Sequence, residues 1–321
     1  MYYIGIDGGG TKTAIFAANI GNSELRYAKI AGSSWREHGV NKVSQDIKEA
    51  VLELVGDDSG KIAGIAMGLS CHGESTEGDS ILEQGMREVF PGIPIYFTND
   101  VEAGWAGSLA LGAGINIVAG TGSIAFGKDD RGHTARSGGW SEFFGDEGSC
   151  YWVGRRVMEI FSKQSDGRLP KDELYGLVRR EFNLQNDFGF IDLIYNEYMG
   201  YRKQVASFQL LAEKAALAGS PSAKRLYDEA VDELLLLVIT VRNKLDFNGK
   251  PWTVSYSGGL FKAGELVLKK FSQKIGEAGG ILSRPCFGPV EGSVLLAYQC
   301  FCPEGLEQVK SIMQNYNTGI L

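Results

Sequence analysis

No stretch of this chain is apolar for long enough to cross a bilayer. The longest run, Leu234-Leu235-Leu236-Leu237-Val238-Ile239, falls far short of the ~20 residues a spanning helix needs. The N-terminus, Met1-Tyr2-Tyr3-Ile4-Gly5-Ile6-Asp7, lacks the basic and apolar segments of a secretory signal, so a cytoplasmic location is expected. Positive charge is in deficit: 32 Lys and Arg against 39 Asp and Glu give a net charge of −7. That balance argues against a nucleic-acid footprint and against binding an anionic membrane surface. Proline is scarce, at 8, and there is no Gly-Ser tract, which excludes a disordered chain. The five cysteines, Cys71, Cys150, Cys286, Cys300 and Cys302, are odd in number and scattered, so free thiols are expected. No further Cys or His clusters near Cys300-Phe301-Cys302, which disfavours a structural metal.

Glycine is in excess, 44 in 321 residues, about twice the ordinary share. Glycine recurring at tight turns points to backbone brought close to a ligand. The length exceeds what one ordinary core accommodates and suits two.

Strand patterns at residues 2–6, 13–18 and 24–30 make an antiparallel meander whose first turn is Asp7-Gly8-Gly9-Gly10-Thr11-Lys12. A helix is predicted near 42–55, a buried strand at 62–69, a helix at 80–90, a strand at 93–98 and a helix at 101–111. The pattern then restarts with Ile115-Asn116-Ile117-Val118-Ala119 and a second glycine hairpin, Gly120-Thr121-Gly122-Ser123, before a strand at 124–127. This restart divides the chain near residue 113. Residues 148–245 read as mostly helical, with stretches near 150–162, 171–182 and 203–245. A late strand, 254–257, a helix near 262–277 and a final helix near 292–298 complete the reading.

The first hairpin lies between strands, whereas a Walker loop or a dinucleotide fingerprint is followed by a helix, so neither motif applies. Its backbone N–H groups can still wrap phosphate oxygens, with Gly9, Gly10, Thr11, Lys12 and Thr13 as candidates. Asp7 at the strand end suits Mg²⁺ held through water, because Mg²⁺ dehydrates reluctantly. Gly120, Thr121, Gly122 and Ser123 repeat the device in the second half, an arrangement expected to grip one polyphosphate from two sides. Asp100, in Thr98-Asn99-Asp100, is either an N-cap or a general base for an attacking hydroxyl. Ser257-Gly258-Gly259 joins a strand to a helix, and its glycines allow an adenine or ribose to lie on the backbone. Gly138-Gly139-Trp140-Ser141 and Gly145-Asp146-Glu147-Gly148-Ser149 flank Phe143-Phe144. A carboxylate beside glycines suits sugar hydroxyls, but Asp146 and Glu147 also precede a helix whose dipole they would complement. Trp140 is core or ligand face. Trp35 suits stacking on a ring face, Arg36 suits pairing with a carboxylate, and His72 follows a strand expected to point at the site.

These segments, in this order and spacing, resemble the acetate-and-sugar-kinase, heat-shock-chaperone and actin superfamily. Within it the chain is similar to the family that groups N-acetylglucosamine kinases with BadF/BadG-type ATPases. The most specific match is Gly138-Gly139-Trp140 with Gly145-Asp146-Glu147-Gly148-Ser149-Cys150-Tyr151-Trp152-Val153-Gly154. The resemblance implies an α/β protein of two ribonuclease H-like (actin-like ATPase) domains around a central cleft, the second with a helical insertion. The domains would be 1–113 and 114–296, with a C-terminal helix about 297–321 packing back on the first. It implies an ATP- and Mg²⁺-dependent amino-sugar kinase acting on a hydroxyl, O6, of N-acetylglucosamine, N-acetylmuramic acid or glucosamine. Asp100 would be its base, and Trp35, His72, Asp100, Gly139, Trp140 and Asp146 its sugar contacts. Ser141 stands where the resemblance has a frequent Gly. The partners implied are a small sugar and a second copy in a homodimer, with no nucleic acid and no membrane. The alternative is an ATPase activator of a dehydratase or benzoyl-CoA reductase type partner, but Cys150 and Cys286 lack the pattern of a shared iron–sulfur cluster.

Overall fold

The computed structural model describes residues 1–10, 12–70, 72–73 and 75–316. Its contacts divide the chain into two units, Met1–Gly112 with the segment from Arg284 onward, and Ala113–Ser283.

The first unit opens with β1 (Tyr2–Gly8), β2 (Lys12–Asn19) and β3 (Glu24–Ala31) as an antiparallel meander. A short α1 (Trp35–His38) leads into α2 (Val40–Val55). Val43, Ile47, Val51 and Val55 recur every four residues along α2 and are all buried, so one helix face covers the sheet. β4 (Ile62–Leu69) pairs parallel to β1, α3 (Thr76–Val89) crosses back, and β5 (Ile95–Thr98) pairs parallel to β4 before α4 (Asp100–Ser108). The sheet order is β3-β2-β1-β4-β5.

The second unit repeats that plan. β6 (Gly114–Ala119), β7 (Ser123–Lys128) and β8 (Thr134–Gly138) form the meander. A helical block follows: α5 (Cys150–Ser165), α6 (Glu173–Glu181), α7 (Gly189–Leu193) with a π turn at Ile194–Tyr198, α8 (Arg202–Ser207), α9 (Gln209–Leu217) and α10 (Pro221–Arg242). β9 (Trp252–Ser257) pairs parallel to β6, and after α11 (Glu265–Glu277) β10 (Gly280–Leu282) pairs parallel to β9. The order β10-β9-β6-β7-β8 is that of the first sheet with its connecting logic intact. Val153, Val157 and Phe161 of α5 pack with Phe208, Leu226, Val238 and the strands in one core.

The stretch 203–245 is three helices. Gly219, at φ +107°, ends one reach of chain, and Ser220 caps α10 by accepting the Ala223 N–H at 3.1 Å. α12 (Pro289–Phe301) and α13 (Leu306–Asn315) close the chain. The return to the first unit begins at Arg284 and not at 297, because α12 lies directly on β1 and α4. A Cβ on Gly292 would sit 2.0 Å from the Ala103 carbonyl oxygen, and one on Gly107 would sit 2.1 Å from that of Gly288. Ser293 Oγ donates to the Ile6 carbonyl at 2.9 Å, and the Tyr298 hydroxyl to that of Ala18 at 3.2 Å. No described helix is long and apolar enough to cross a membrane.

Candidate active site

In the first unit the polar groups collect where β1, β4 and β5 end, the edge at which open parallel sheets carry ligands. Asp7 is half-buried near the end of β1, in register with Ala14 and Gly68. The following turn is fixed by the Gly9 N–H donating to the Lys12 carbonyl and the Ser33 N–H to the Gly9 carbonyl, each at 3.0 Å. A Cβ at Gly10 would meet nothing within 4 Å, and Lys12 is exposed, so the turn offers bare backbone and a cation. Thr13 is different: it is fully buried on β2 with its hydroxyl unpartnered, so it does not join Lys12 on the open side. Thr11 lies outside the described residues.

Asn99, not Asp100, caps α4, its side chain accepting the Glu102 N–H at 2.8 Å. Asp100 is thereby the first helical residue, where the helix dipole favours its ionised form. Glu102 is turned to the Thr98 hydroxyl and to that of Tyr96 at 3.4 Å. Loss of water pushes the Asp7 carboxyl up to about 7, helped by the negative charges of Asp100 and Glu291 and opposed by Lys12. Glu291 is a residue the sequence reading passed over. It is 3% exposed in the first turn of α12, one carboxyl oxygen has no partner, and burial raises its pKa. An acid in an otherwise apolar helix was the available signal.

The Asp7 shift has a definite sign. Its folded pKa lies above the unfolded value of 3.8, so its contribution to stability is fully present below about pH 4 and lost as pH rises through about 7. Urea midpoints measured without nucleotide or Mg²⁺ should fall between pH 5 and pH 8 and fall less in Asp7→Asn. Equal slopes for the two proteins would contradict the assignment.

Two expected sugar contacts are placed elsewhere. The half-buried Trp35 indole packs against the core of the first unit, its ring 2.8 Å from where a Gly78 Cβ would stand. His72 Nε2 lies 3.1 Å from Glu83 Oε1 of α3 and the ring stacks on Phe97, centroids 6.2 Å apart. Both side chains serve packing between the β4–α3 connection and its neighbours.

In the second unit a cavity of about 390 Å³ is lined by Gly120 and Thr121 of the hairpin, Ala206 and Ser207 of α8, and Gly259 and Lys262 after β9. Gln209 and Glu213 of α9 add polar groups to its wall. The structure thus joins the second glycine hairpin to the turn after β9 across 139 residues of sequence. Gly258 makes that junction: at φ +106° its missing Cβ would lie 2.4 Å from the Ala119 carbonyl. The Gly120 N–H donates to the Gly122 carbonyl at 2.9 Å, and the Gly120 carbonyl accepts from the Cys150 N–H at 2.8 Å. Ser257 ends β9, half-buried.

Ser123 and Asp146 brace the hairpin from behind. The Ser123 hydroxyl donates to the Glu147 carbonyl at 2.7 Å, and its N–H donates to Asp146 Oδ1 at 3.2 Å. Asp146, 2% exposed, also receives Arg202 Nη2. Its oxygens are therefore engaged within the unit, as are both polar backbone-side atoms of Ser123. Ser149, not Asp146 or Glu147, caps α5. Trp140, by contrast, is 68% exposed and remains available as a stacking face. Gly139 at φ +72° bonds its N–H to the Ser123 carbonyl at 2.9 Å, setting that loop on the hairpin. Ser141 stands at φ +110°, a conformation that favours glycine. Ser141→Gly should stabilise the protein by roughly 1 kcal/mol, read as a higher unfolding temperature. An unchanged or lower one would contradict the strain.

Among the described residues no three His, Cys, Asp or Glu side chains form a metal-holding group, and Cys150, Cys286 and Cys302 are in no disulfide. Cys71 lies outside the described residues.

Comparison with known proteins places these features. Residues 4–297 match the model of the BadF/BadG/BcrA/BcrD ATPase family. An N-acetylmuramic acid/N-acetylglucosamine kinase of Clostridium acetobutylicum is 31% identical over 267 residues, 81% of this chain and 85% of that one. An N-acetyl-D-glucosamine kinase of Dictyostelium discoideum is 28% identical over 315 residues, 92% and 97% of the two chains. A solved structure from Chromobacterium violaceum, described as a candidate N-acetylglucosamine kinase, superposes with a TM-score of 0.71 at 23% identity, covering 92% and 98%. A ROK family glucokinase of Streptomyces griseus, solved with glucose and AMPPNP, gives 0.56 at 17% identity over 93% and 100%. These structures share the actin-like fold.

Proposed function

The chain belongs to the BadF/BadG/BcrA/BcrD ATPase family, and we propose that within it this protein is an amino-sugar kinase. It would pass the γ-phosphoryl of ATP to a hydroxyl, O6, of N-acetylglucosamine or N-acetylmuramic acid. The observation that supports this reading is the cavity where Gly120 and Thr121 meet Gly259, which would take ATP. The acceptor class comes from the kinase relatives, the nearer-matched of the two named for both sugars. ATP as the donor would suit a cytoplasmic location.

Asp100 would take the proton of the attacking hydroxyl, with its carboxylate oriented by the first turn of α4. The first hairpin would give N–H groups and Lys12 to phosphate oxygens. Mg²⁺ would fit Asp7, whose pKa is raised by burial first and then by the negative charges of Asp100 and Glu291. Asp7 would hold it through water, and the ion would neutralise phosphate charge. Trp140 and Gly139 would face the sugar, and Arg36 would meet a lactyl carboxylate. Domain bounds at 112 and 284 would mark the two catalytic halves.

A panel of glucosamine, N-acetylglucosamine, N-acetylmuramic acid, N-acetylmannosamine and glucose with coupled ADP detection tests the reading. Sugar-stimulated ADP release is expected with one or both N-acetylated sugars of the relatives. A good rate on glucose alone defeats the amino-sugar claim, and ATP consumption that no sugar stimulates defeats the kinase claim.

A further inference from the structure

We infer that Arg202 is the cation at the phosphate end of the nucleotide cavity, and that it reads the terminal phosphate of ATP. This rests on the kinase reading and adds to it a residue far from every glycine motif.

Gly120 and Thr121 of the hairpin line the cavity together with Gly259 and Lys262, and Gly122 follows them in the same turn. Arg202 reaches Gly122 in company with Asp146: its Nη2 is 2.7 Å, and the Asp146 oxygens 2.8 and 2.9 Å, from where a Gly122 Cβ would stand. It is also the first residue of α8, the helix whose Ala206 and Ser207 line the same cavity. At 1.5 Å rise per residue, Arg202 starts about 6 Å along the helix axis from that wall. Its guanidinium therefore spans from α8 to the hairpin at the end where a polyphosphate would emerge.

Two carboxylates orient the group without using all of it. Nη2 donates to Asp146, and Nε faces Glu142 Oε2 at 3.5 Å. Among the described residues the hydrogen bond recorded for the guanidinium is that of Nη2, Nε being buried without one, and the side chain is 40% exposed. A guanidinium has five donors in a rigid fork, so one edge can hold a carboxylate while the other takes a phosphate. The arrangement also has an electrostatic logic. Asp146 lies buried under the hairpin, bonded to the Ser123 N–H. Without Arg202 that charge would stand uncompensated beside the hairpin. With it, the hairpin presents a neutral pair and a spare donor edge.

The test uses the full chain and two nucleotides. Calorimetric binding of AMPPNP and ADP, each with Mg²⁺, is compared for the wild type, Arg202→Met and Arg202→Lys. A charge-assisted bond to the terminal phosphate predicts that Arg202→Met weakens AMPPNP about 10-fold or more and ADP by less than about threefold. Arg202→Lys, which keeps the charge but not the fork, should fall between. A merely bracing role for Arg202 would weaken both nucleotides equally, and that outcome overturns the inference, as does an unchanged ratio. If Arg202→Met does not fold, the ratio in Arg202→Lys decides by the same rule: a reduced ratio supports the inference and a wild-type ratio overturns it. A wild type that binds AMPPNP but shows no sugar-stimulated ADP release from ATP overturns the kinase reading while leaving the phosphate contact standing. A wild type that binds neither nucleotide overturns both.

Discussion

Asp100→Asn should keep sugar affinity within about threefold and lower kcat by about 10²–10⁴, the ordinary contribution of a positioned general base. The structure separates this loss from a folding defect. The cap of α4 is the Asn99 side chain, whose acceptance of the Glu102 N–H does not involve Asp100. Removing the Asp100 charge forfeits its interaction with the helix N-terminus, about 0.3–1 kcal/mol. It also removes a like charge from beside Asp7, which offsets part of that cost. Asn99→Ala is the complementary control: losing the cap should cost about 1 kcal/mol of stability while leaving a base in place. Isothermal sugar binding, thermal unfolding and steady-state rates on the two variants check the pair. Near-wild-type turnover in Asp100→Asn, with either sugar of the relatives, would remove Asp100 from the mechanism and turn attention to Asp7 as the proton acceptor.

That separation was not visible in the sequence, and the reason is physical. Asn99 and Asp100 are adjacent and both are good caps, so local propensity cannot choose between them. The hairpins were legible because turn chemistry is local: three consecutive glycines between two strand patterns admit few other structures. The parallel strands β4, β5 and β9 announced themselves as short apolar runs. β8, Thr134–Gly138, has no such run because it is an edge strand with no buried residue, and β10 has only three residues. α7 was missed because a five-residue helix leading into a π turn carries too little periodicity to read. The early return to the first unit hinges on backbone touching backbone at Gly5, Gly107 and Gly292, a non-local fact that glycine composition hints at but does not locate.

The site residues divide the same way. Backbone candidates, Gly120, Thr121 and Gly259, came together on one cavity. Side-chain candidates did so less often, because a side chain's partner is set by the fold. Trp35 is claimed by the surface around Gly78, His72 by Glu83 and Phe97, and Asp146 by Arg202, none of them sequence neighbours. An aromatic or acid beside a glycine turn reads as a ligand contact until the residue that occupies it is known.

The junction at Gly258 yields the other large effect. Its φ of +106° already excludes most side chains, and a Cβ there would stand 2.4 Å from both the carbonyl carbon and oxygen of Ala119 and 2.6 Å from the Gly120 nitrogen. All three are backbone atoms of the β6 end, which cannot rotate out of the way. With ψ at 166°, Gly258 lies in a region almost confined to glycine, so Gly258→Ala should combine a backbone cost of roughly 1–3 kcal/mol with an overpacking cost of about 1–3 kcal/mol. The relief available is to push the 258–259 turn off the hairpin, which widens the cavity between Gly259 and Gly120. A displacement of about 1 Å at such a site is enough to cost up to 10²-fold. The expected result is a fall in unfolding temperature together with a rise of about 10-fold or more in the KM for ATP, measured at saturating sugar. The two must move together, because one steric contact causes both. A variant that loses stability but binds ATP as the wild type does would show that the adenosine turn lies outside the nucleotide site. In that case the cavity, rather than the stability of its rim, would need another occupant.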